Sequence, residues 1–292
     1  TYMKTETREA VPYMISIAYY MKGEEAFDFR EWTELSEGST PEDYGAVLTC
    51  KSFMGSNCCK EMFDWLHESP TFADRFLAFM AHNLNFDFNR LLRHAPNLWV
   101  TGGIFKSVSK TDCVEAILCP KKARDSDIRY GRRVFFFDSL SITQMPLAKF
   151  KPSFQLSGDI QKEIFPYDYY TEERISNWLE TDQVDLNTAI SEGFPGNEAK
   201  QNEFRYAIVK SGCVTMEEEG PMLKPIEYAR FYCEQDCRVL MMGIMILRGN
   251  CYNVPLIDPD PRFDERVDIP CEIDILHCVS IPQYATYYLG AN

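Results

Sequence analysis

Long apolar runs are missing from this sequence: no stretch reaches the roughly 18 residues that a membrane-spanning helix needs. Residues 1–10 also lack the charged and then apolar profile of a secretory signal peptide. Internal repeats and low-complexity tracts are absent. We therefore expect a soluble protein. With 45% hydrophobic residues among 292, it can bury a sizeable core as one large domain or one domain with appendages.

Positive charge is scarce, because 30 Lys and Arg residues face 44 Asp and Glu residues, for a formal net charge of −14. This balance argues against a broad electrostatic footprint on duplex DNA, which needs clustered basic residues. It does not exclude a narrow cleft that holds a few nucleotides through metals, aromatic rings and backbone amides. Such a protein would bind DNA weakly by itself and would depend on a larger assembly.

Histidine is rare as well, with four residues, and zinc-type cysteine spacing is missing. Two close pairs exist among the eleven cysteines, Cys58-Cys59 and Cys233/Cys237, but neither has a second pair at ligand spacing. An odd number of cysteines scattered through core-like segments indicates reduced thiols in an intracellular protein rather than a disulfide framework.

Hydrophobic patterning predicts strands and helices in alternation, with breaks in composition between them. The last predicted helix starts with Pro225 and has Gly249 just beyond its end. Residues 176–224 show little periodicity and are predicted to be an insertion or irregular lobe. The predicted strands are residues 11–20, 76–80, 114–118 and 133–138, the predicted helices are residues 57–69, 88–94 and 225–247, and the predicted loop and linker are residues 121–132 and 258–261.

Two distant segments combine aromatic groups with a carboxylate. The first holds Asn83, Phe86 and Asp87 between a predicted strand and a predicted helix, where α/β proteins place ligand groups. The second sets Tyr232 and Asp236 one turn apart on one face of the last predicted helix. Taken alone, Asp87 is more typical of a helix N-cap, Tyr232 of a core residue and Asp236 of a solvated helix residue.

The joint order of these segments, with a third between them, favours a functional interpretation. The third is Phe136 to Leu140, followed by Pro146 to Phe150. Together they resemble the second, Ser/Thr-Leu and third motifs of the 3′–5′ exonuclease domain of family B DNA polymerases. The resemblance is particularly to the protein-primed group of linear plasmids, small bacteriophages and related viruses. Thr143 departs from the pattern, since the family usually has an apolar residue there.

Further segments extend this resemblance over nearly the whole chain, excepting residues 176–224 and about 250–272. Phe165-Pro166-Tyr167 is similar to the aromatic-proline step of plasmid-type members. Residues 274–289 are similar to the lead-in toward the polymerase half. Each motif is short, so their family order carries the specificity.

The resemblance implies an α/β fold of the RNase H-like class (DnaQ-type exonuclease), a mixed sheet flanked by helices. It also implies hydrolysis of the 3′-terminal phosphodiester of single-stranded DNA with two divalent ions, Mg²⁺ or Mn²⁺, which favour carboxylate ligands. The roles that carry over are metal ligation for Asp87 and Asp236, water positioning for Tyr232, and a grip on single-stranded DNA for Asn83, Phe86, Ser139 and Leu140.

Two expected features are missing. The position of the family's lysine that assists exonuclease chemistry holds Ser157. The first motif, an Asp-x-Glu, would stand just upstream of Thr1, and Glu6 is the nearest substitute. Three explanations stay open: the chain is a piece of a longer protein, another polypeptide supplies the first strand, or the domain has lost catalysis. We expect little activity from this chain alone.

These observations predict an exonuclease-like domain over residues 1–250, with an insertion at about 176–224. Residues 251–292 are predicted to be a linker and lead-in to a polymerase domain, whose Asp-Thr-Asp motif is absent after Asp236. The expected partners are a DNA 3′ end and a polymerase half or a chain supplying the first strand, without a membrane, in a mitochondrial, plasmid-borne or viral context. The rival hypothesis is a catalytically degenerate domain that serves as a structural or assembly subunit.

Overall fold

The computed structural model describes residues 2–3, 10–28, 40–72, 77–94, 100–106, 111–118, 132–252, 255–256 and 269–270. Several sequence-based predictions lie outside these residues. They are the substitute acid Glu6, the loop at residues 121–131, the linker at residues 258–261 and the lead-in at residues 274–289.

Within the described residues, helices and strands alternate along the chain. The strands are β1 (Tyr2–Met3), β2 (Ala10–Val11), β3 (Met14–Lys22), β4 (Glu25–Ala26), β5 (Val47–Met54), β6 (Leu77–Ala81), β7 (Val100–Lys106), β8 (Thr111–Leu118), β9 (Arg132–Asp138), β10 (Val184–Asp185), β11 (Val214–Glu217), β12 (Gly220–Leu223), β13 (Pro255–Leu256) and β14 (Ile269–Pro270). The α-helices are α1 (Cys58–Glu68), α2 (Leu84–His94), α3 (Ser139–Thr143), α4 (Phe150–Phe154), α5 (Glu172–Thr181), α6 (Leu186–Gly193), α7 (Glu198–Ser211) and α8 (Pro225–Tyr252). Short 3-10 turns cover Pro41–Tyr44, Pro70–Phe72, Leu147–Lys149 and Tyr167–Tyr169.

A four-stranded mixed sheet holds the strands in the order β6-β9-β8-β7. β6 runs parallel to β9, while β8 is antiparallel to both of its neighbours. The sequence predicted three of these strands correctly, because close-packed β-branched and aromatic residues are typical of buried strands. The register pairs Ala81 with Asp138, so the carboxyl ends of β6 and β9 lie side by side.

Two three-stranded sheets complete the main strand pairings in the described part. One has the order β4-β3-β5 and contains the strand predicted at residues 11–20, observed as β3. The other has the order β10-β12-β11 and is built around the hairpin of β11 and β12. The chain is therefore an α/β protein.

Residues 176–224 are regular, which corrects the prediction of an irregular lobe. They contain α6, α7 and the β10-β12-β11 sheet, together with most of α5. The N-caps of these three helices accept a hydrogen bond from a backbone N–H three residues on: Thr171 from Arg174, Asp185 from Thr188 and Asn197 from Lys200.

Contacts divide the chain into two compact units. The first comprises residues 1–18, 50–62 and 159–238, and the second comprises residues 19–49, 63–158 and 239–292. The first unit buries a core to which α5, α6, α7 and α8 contribute side chains, among them Trp178, Ile190, Phe204, Ile208 and Tyr228. The predicted domain boundary at residue 250 stays a prediction.

Helix α8 ends at Tyr252, beyond the end predicted before Gly249. One glycine inside the helix, Gly243, lies where a neighbouring element packs closely. In the second unit a Cβ on Gly243 would lie 2.5 Å from the Phe150 ring and 2.9 Å from the Phe154 ring, so α4 packs directly on the helix backbone. In the described part of the chain no helix has both the length and the apolar character to cross a membrane.

Candidate functional site

In the second unit, a buried carboxylate joins the ends of β6 and β9. Asp138 accepts hydrogen bonds at Oδ1 from the backbone N–H groups of Asn83 and Leu140, both at 2.9 Å. Its side chain caps α3 and is 1% exposed. We call Asn83, Asp138, Ser139 and Leu140, together with His82, the strand-end cluster. The structure thus brings the second and Ser/Thr-Leu motifs together, as the parallel pairing of their strands requires.

Ser139 is fully buried in this cluster. Its hydroxyl donates to the Ala81 carbonyl oxygen at 3.2 Å and lies 3.1 Å from His82 Nδ1. The His82 ring in turn meets the Phe150 ring edge-on, with centroids 5.8 Å apart. A DNA contact by the Ser139 side chain stays a prediction that this geometry does not support. The observed bonds instead make it a residue that positions His82 and the end of β6.

Asn83 and Phe86 face solvent at the start of α2. Asn83 has a φ of 71°, a left-handed conformation that asparagine tolerates, and this turns the chain sharply from β6 into the helix. The Phe86 side chain is 44% exposed, and the Arg90 guanidinium lies 3.7 Å from its ring centroid. Arg90 also donates to the Phe86 carbonyl oxygen at 2.8 Å. One face of an exposed ring is therefore held by a cation.

Asp87 lies inside the first turn of α2, so it is not the N-cap that it resembles when read alone. Asp87 is an exposed residue, yet the pKa of its carboxyl is raised to about 6. Desolvation is the main cause, Arg90 opposes it and Asp138 adds to it. The ionised form of the Asp87 carboxyl is thus disfavoured in the folded protein.

In the first unit, Lys162, Tyr167, Tyr232 and Asp236 form a second group, which we call the lysine–tyrosine cluster. The Lys162 ammonium donates to the Tyr232 hydroxyl at 2.6 Å and to Asp236 Oδ2 at 2.8 Å. The hydroxyls of Tyr167 and Tyr232 lie 2.7 Å apart. The side chains of Lys162 and Asp236 are 32% and 21% exposed, so the ion pair stays within reach of a ligand in solution.

Lys162 was missed from the sequence. The resemblance placed the family's lysine at Ser157, an exposed residue, whereas Lys162 is the lysine that contacts Tyr232 and Asp236. It lies on a stretch without helix or strand, where periodicity gives no signal. The usable signal was local: Lys162 stands three residues before the Phe165-Pro166-Tyr167 step.

Tyr232 is a neutral hydroxyl at physiological pH. Burial raises its pKa far above the ordinary tyrosine value, and the charge of Asp236 and the Tyr167 hydroxyl raise it further. The Phe165 ring packs against Tyr232 with centroids 4.7 Å apart and stacks parallel to the Tyr228 ring at 6.2 Å. Tyr232 can therefore orient a ligand or water by hydrogen bonding but cannot act as a base.

The metal ions implied by the resemblance need several converging carboxylates. Across the described ranges, no three His, Cys, Asp or Glu side chains come together in a way that could hold a metal ion. Asp236 is paired with a lysine, and Asp87 and Asp236 belong to different units. The described side chains therefore do not by themselves form a complete metal centre. The convergence of these two aspartates stays a prediction.

A model of the type B DNA polymerase family, organellar and viral, matches residues 71–288, well over half of the chain. The chain belongs to this family. The match includes both clusters, since it runs from before β6 to beyond the end of α8. No curated protein and no solved structure matches the chain. Membership of the organellar and viral type B DNA polymerases implies DNA as the substrate and a polymerase as the context. It also suggests dependence on divalent metal ions in general.

Proposed function

We propose that this chain is the 3′–5′ exonuclease domain, or a fragment of it, of a protein-primed type B DNA polymerase, with an RNase H-like fold. Its reaction is hydrolysis of the terminal phosphodiester at the 3′ end of single-stranded DNA. The observation that carries the proposal is the Lys162 ammonium held between the Tyr232 hydroxyl and the Asp236 carboxylate.

This arrangement suits phosphodiester hydrolysis. Negative charge develops on the phosphate oxygens during attack, and a preorganised ammonium such as Lys162 stabilises it. The neutral Tyr232 hydroxyl is fixed by Lys162 and Tyr167, so it orients the attacking water rather than deprotonating it. Mg²⁺ or Mn²⁺ would supply water activation when bound, with Asp87 and Asp236 as proposed ligands beside further carboxylates.

The strand-end cluster and the nearby Phe86 supply the proposed grip on DNA. The Asn83 amide is exposed and offers donors and acceptors to a terminal nucleotide. The Phe86 side chain is 44% exposed, and stacking a base on an aromatic ring contributes about 1–3 kcal/mol. Leu140, half-buried beside Asp138, is the apolar neighbour proposed for the 3′ end.

A digestion assay tests this proposal. The full chain should shorten 5′-labelled single-stranded DNA from its 3′ end slowly with Mg²⁺ or Mn²⁺, in line with the little activity expected from this chain alone, and should leave it intact with EDTA. We expect Lys162→Met and Tyr232→Phe to lower kcat by roughly 10²-fold with little change in KM, since both act on the reacting water and phosphate. Asp87→Ala should abolish digestion. Lys224→Met is the matched control, because its ion pair with Glu227 is a loose surface contact at 3.8 Å.

A catalytically degenerate domain that serves as a structural or assembly subunit is the second candidate. Two observations favour it: the described residues hold no three-ligand metal group, and the Ser139 hydroxyl is engaged within the protein. Folded wild-type chain that leaves DNA intact with both metals would support this candidate. Digestion at equal rates by wild type and Lys162→Met would contradict the roles proposed for the lysine–tyrosine cluster.

A further inference from the structure

Lys162 lies on a chain segment without regular secondary structure. Residues 159–166 form neither helix nor strand, so their backbone has no repeating hydrogen bonds to fix it. The Lys162 ammonium nevertheless meets two acceptors at hydrogen-bond distance. Other parts of the first unit must therefore fix this segment.

The strongest anchor is a buried ion pair with Lys210 of α7. The Lys210 ammonium donates to Glu163 Oε1 at 2.6 Å and to the Asp159 carbonyl oxygen at 2.7 Å. The side chains of Lys210 and Glu163 are 12% and 3% exposed. A buried pair of this kind is costly to break, because the remaining charge is left uncompensated out of water. Glu163 is the neighbour of Lys162 in the chain, so the pair fixes the backbone next to it.

Two further contacts hold the same segment. The Tyr228 hydroxyl donates to the Ile164 carbonyl oxygen at 2.7 Å. At the last residue of α6, a Cβ on Gly193 would lie 3.2 Å from the Pro166 side chain, so α6 packs closely against the segment. Both α6 and α7 belong to residues 176–224, the stretch for which sequence analysis predicted no function.

We infer that Lys210 is a positioning residue for the proposed nuclease reaction, acting through Glu163 to hold Lys162 against Tyr232 and Asp236. Residues 176–224 then help to position the lysine–tyrosine cluster. The catalytic consequence rests on the proposed function, whereas the placement of Lys162 does not. The Lys210 ammonium bonds to Asp159 and Glu163, which both lie in the 159–166 segment, so its effect on Lys162 passes through that segment.

The chemical reactivity of the Lys162 amine tests this inference without requiring nuclease activity. The full chain is treated briefly with an amine-acylating ester, and peptide mass spectrometry compares modification of Lys162 with that of the exposed Lys200. In Lys210→Met we expect Lys162 to react about tenfold faster than in wild type, equivalent to losing about 1.4 kcal/mol of positioning. Lys210→Arg should restore most of the protection, because it keeps the charge.

The matched control is Glu192→Gln. It removes an ion pair of the same 2.6 Å length with Arg174, within the same part of the chain, but this pair is exposed and does not involve residues 159–166. Lys162 reactivity should equal that of wild type in this variant. If the wild type digests DNA, Lys210→Met should lower kcat and leave KM unchanged, whereas Glu192→Gln should alter neither.

Unchanged Lys162 reactivity in folded Lys210→Met would overturn the inference. If that variant does not fold, Glu163→Gln and the double variant Glu163→Gln/Lys210→Met answer the same question, because the double variant leaves no buried charge unpaired. Faster acylation of Lys162 in the double variant supports the inference, and wild-type reactivity there refutes it. Increased reactivity in a chain whose wild type is inactive would refute the proposed function and still support the hold of Lys210 on Lys162.

Discussion

Asp87 carries an electrostatic cost in the folded protein. Desolvation raises the pKa of its carboxyl to about 6, against 3.8 for an ordinary aspartate, although Arg90 opposes the shift. A group whose pKa is higher when folded binds protons more tightly in the folded state. Its contribution to stability is therefore fully present below about pH 4 and is lost as pH rises through about 6. Such a cost is common where a carboxylate serves a ligand rather than the fold.

Replacing this charge should stabilise the protein in metal-free buffer. We expect Asp87→Asn to melt at a higher temperature than wild type at about pH 7.5, because the wild type must hold the ionised carboxyl there. The difference should shrink as pH falls through about 6 toward 4, where the wild-type carboxyl becomes neutral. Thermal unfolding followed by circular dichroism measures both, with the exposed Asp168→Asn as control. A variant no more stable than wild type at the higher pH would contradict the assigned desolvation.

Lys162 and Asp138 show which site residues a sequence can reveal. Asp87 and Asp236 were found because they stand in short segments of recognisable order. Lys162 was missed because its segment has no periodicity, and its importance comes from two contacts made 70 and 74 residues downstream. Asp138 was read only as part of a strand end, since its two backbone partners depend on the pairing of β6 with β9.

At the scale of elements, helix-capping residues were more informative than hydrophobic periodicity in residues 176–224. The helices there have 8 to 14 residues, and the longest of them, α7, has only a weak apolar stripe. Their caps were nevertheless readable as Thr171, Asp185 and Asn197, and Gly212 ends α7 in a left-handed conformation with a φ of 70°. Long buried strands needed no such help, because runs of aromatic and β-branched residues fix their type.

The end of α8 was misjudged for a related reason. Glycine after an apolar run is typical of a helix end, yet a neighbouring element can favour glycine inside a helix. Gly243 illustrates this, because α4 lies so close that a side chain has no room. Tertiary contact of this kind leaves no trace in the local sequence.

A methyl group at Gly243 should therefore destabilise the protein. Helix propensity favours alanine by about 1 kcal/mol. Overpacking against rings, however, costs about 1–3 kcal/mol, and the Phe150 ring is fully buried and cannot swing away. We expect Gly243→Ala to lower the free energy of unfolding in urea by up to about 2 kcal/mol, which is the overpacking cost less the gain in helix propensity. Asn250→Ala, at an exposed site of the same helix, should change it by less than about 0.5 kcal/mol. A stabilised Gly243→Ala would show that α4 is not packed as described.

At the scale of the whole molecule, the net charge opposes the binding of DNA that the proposed function requires. The net charge of −14 repels a polyanion, while the proposed function requires one to approach Lys162 and Phe86. A few well-placed groups can meet this requirement if the contact is confined to a DNA end. Membership of the organellar and viral type B DNA polymerases also implies a polymerase context.

A shallow salt dependence should therefore mark binding of single-stranded DNA to this chain. Each phosphate neutralised on a single strand contributes about −0.7 to the slope of log K against log salt, so contact with about three phosphates gives a slope near −2. Fluorescence anisotropy between low and physiological salt measures this slope, with EDTA present to prevent digestion. Lys162→Gln should make it shallower by about 0.7 if the ammonium contacts a phosphate, and Lys200→Gln, at an exposed lysine of α7, should leave it unchanged. A steep slope, or equal affinity for duplex and single strand, would reveal a broad basic surface and contradict a contact confined to a DNA end.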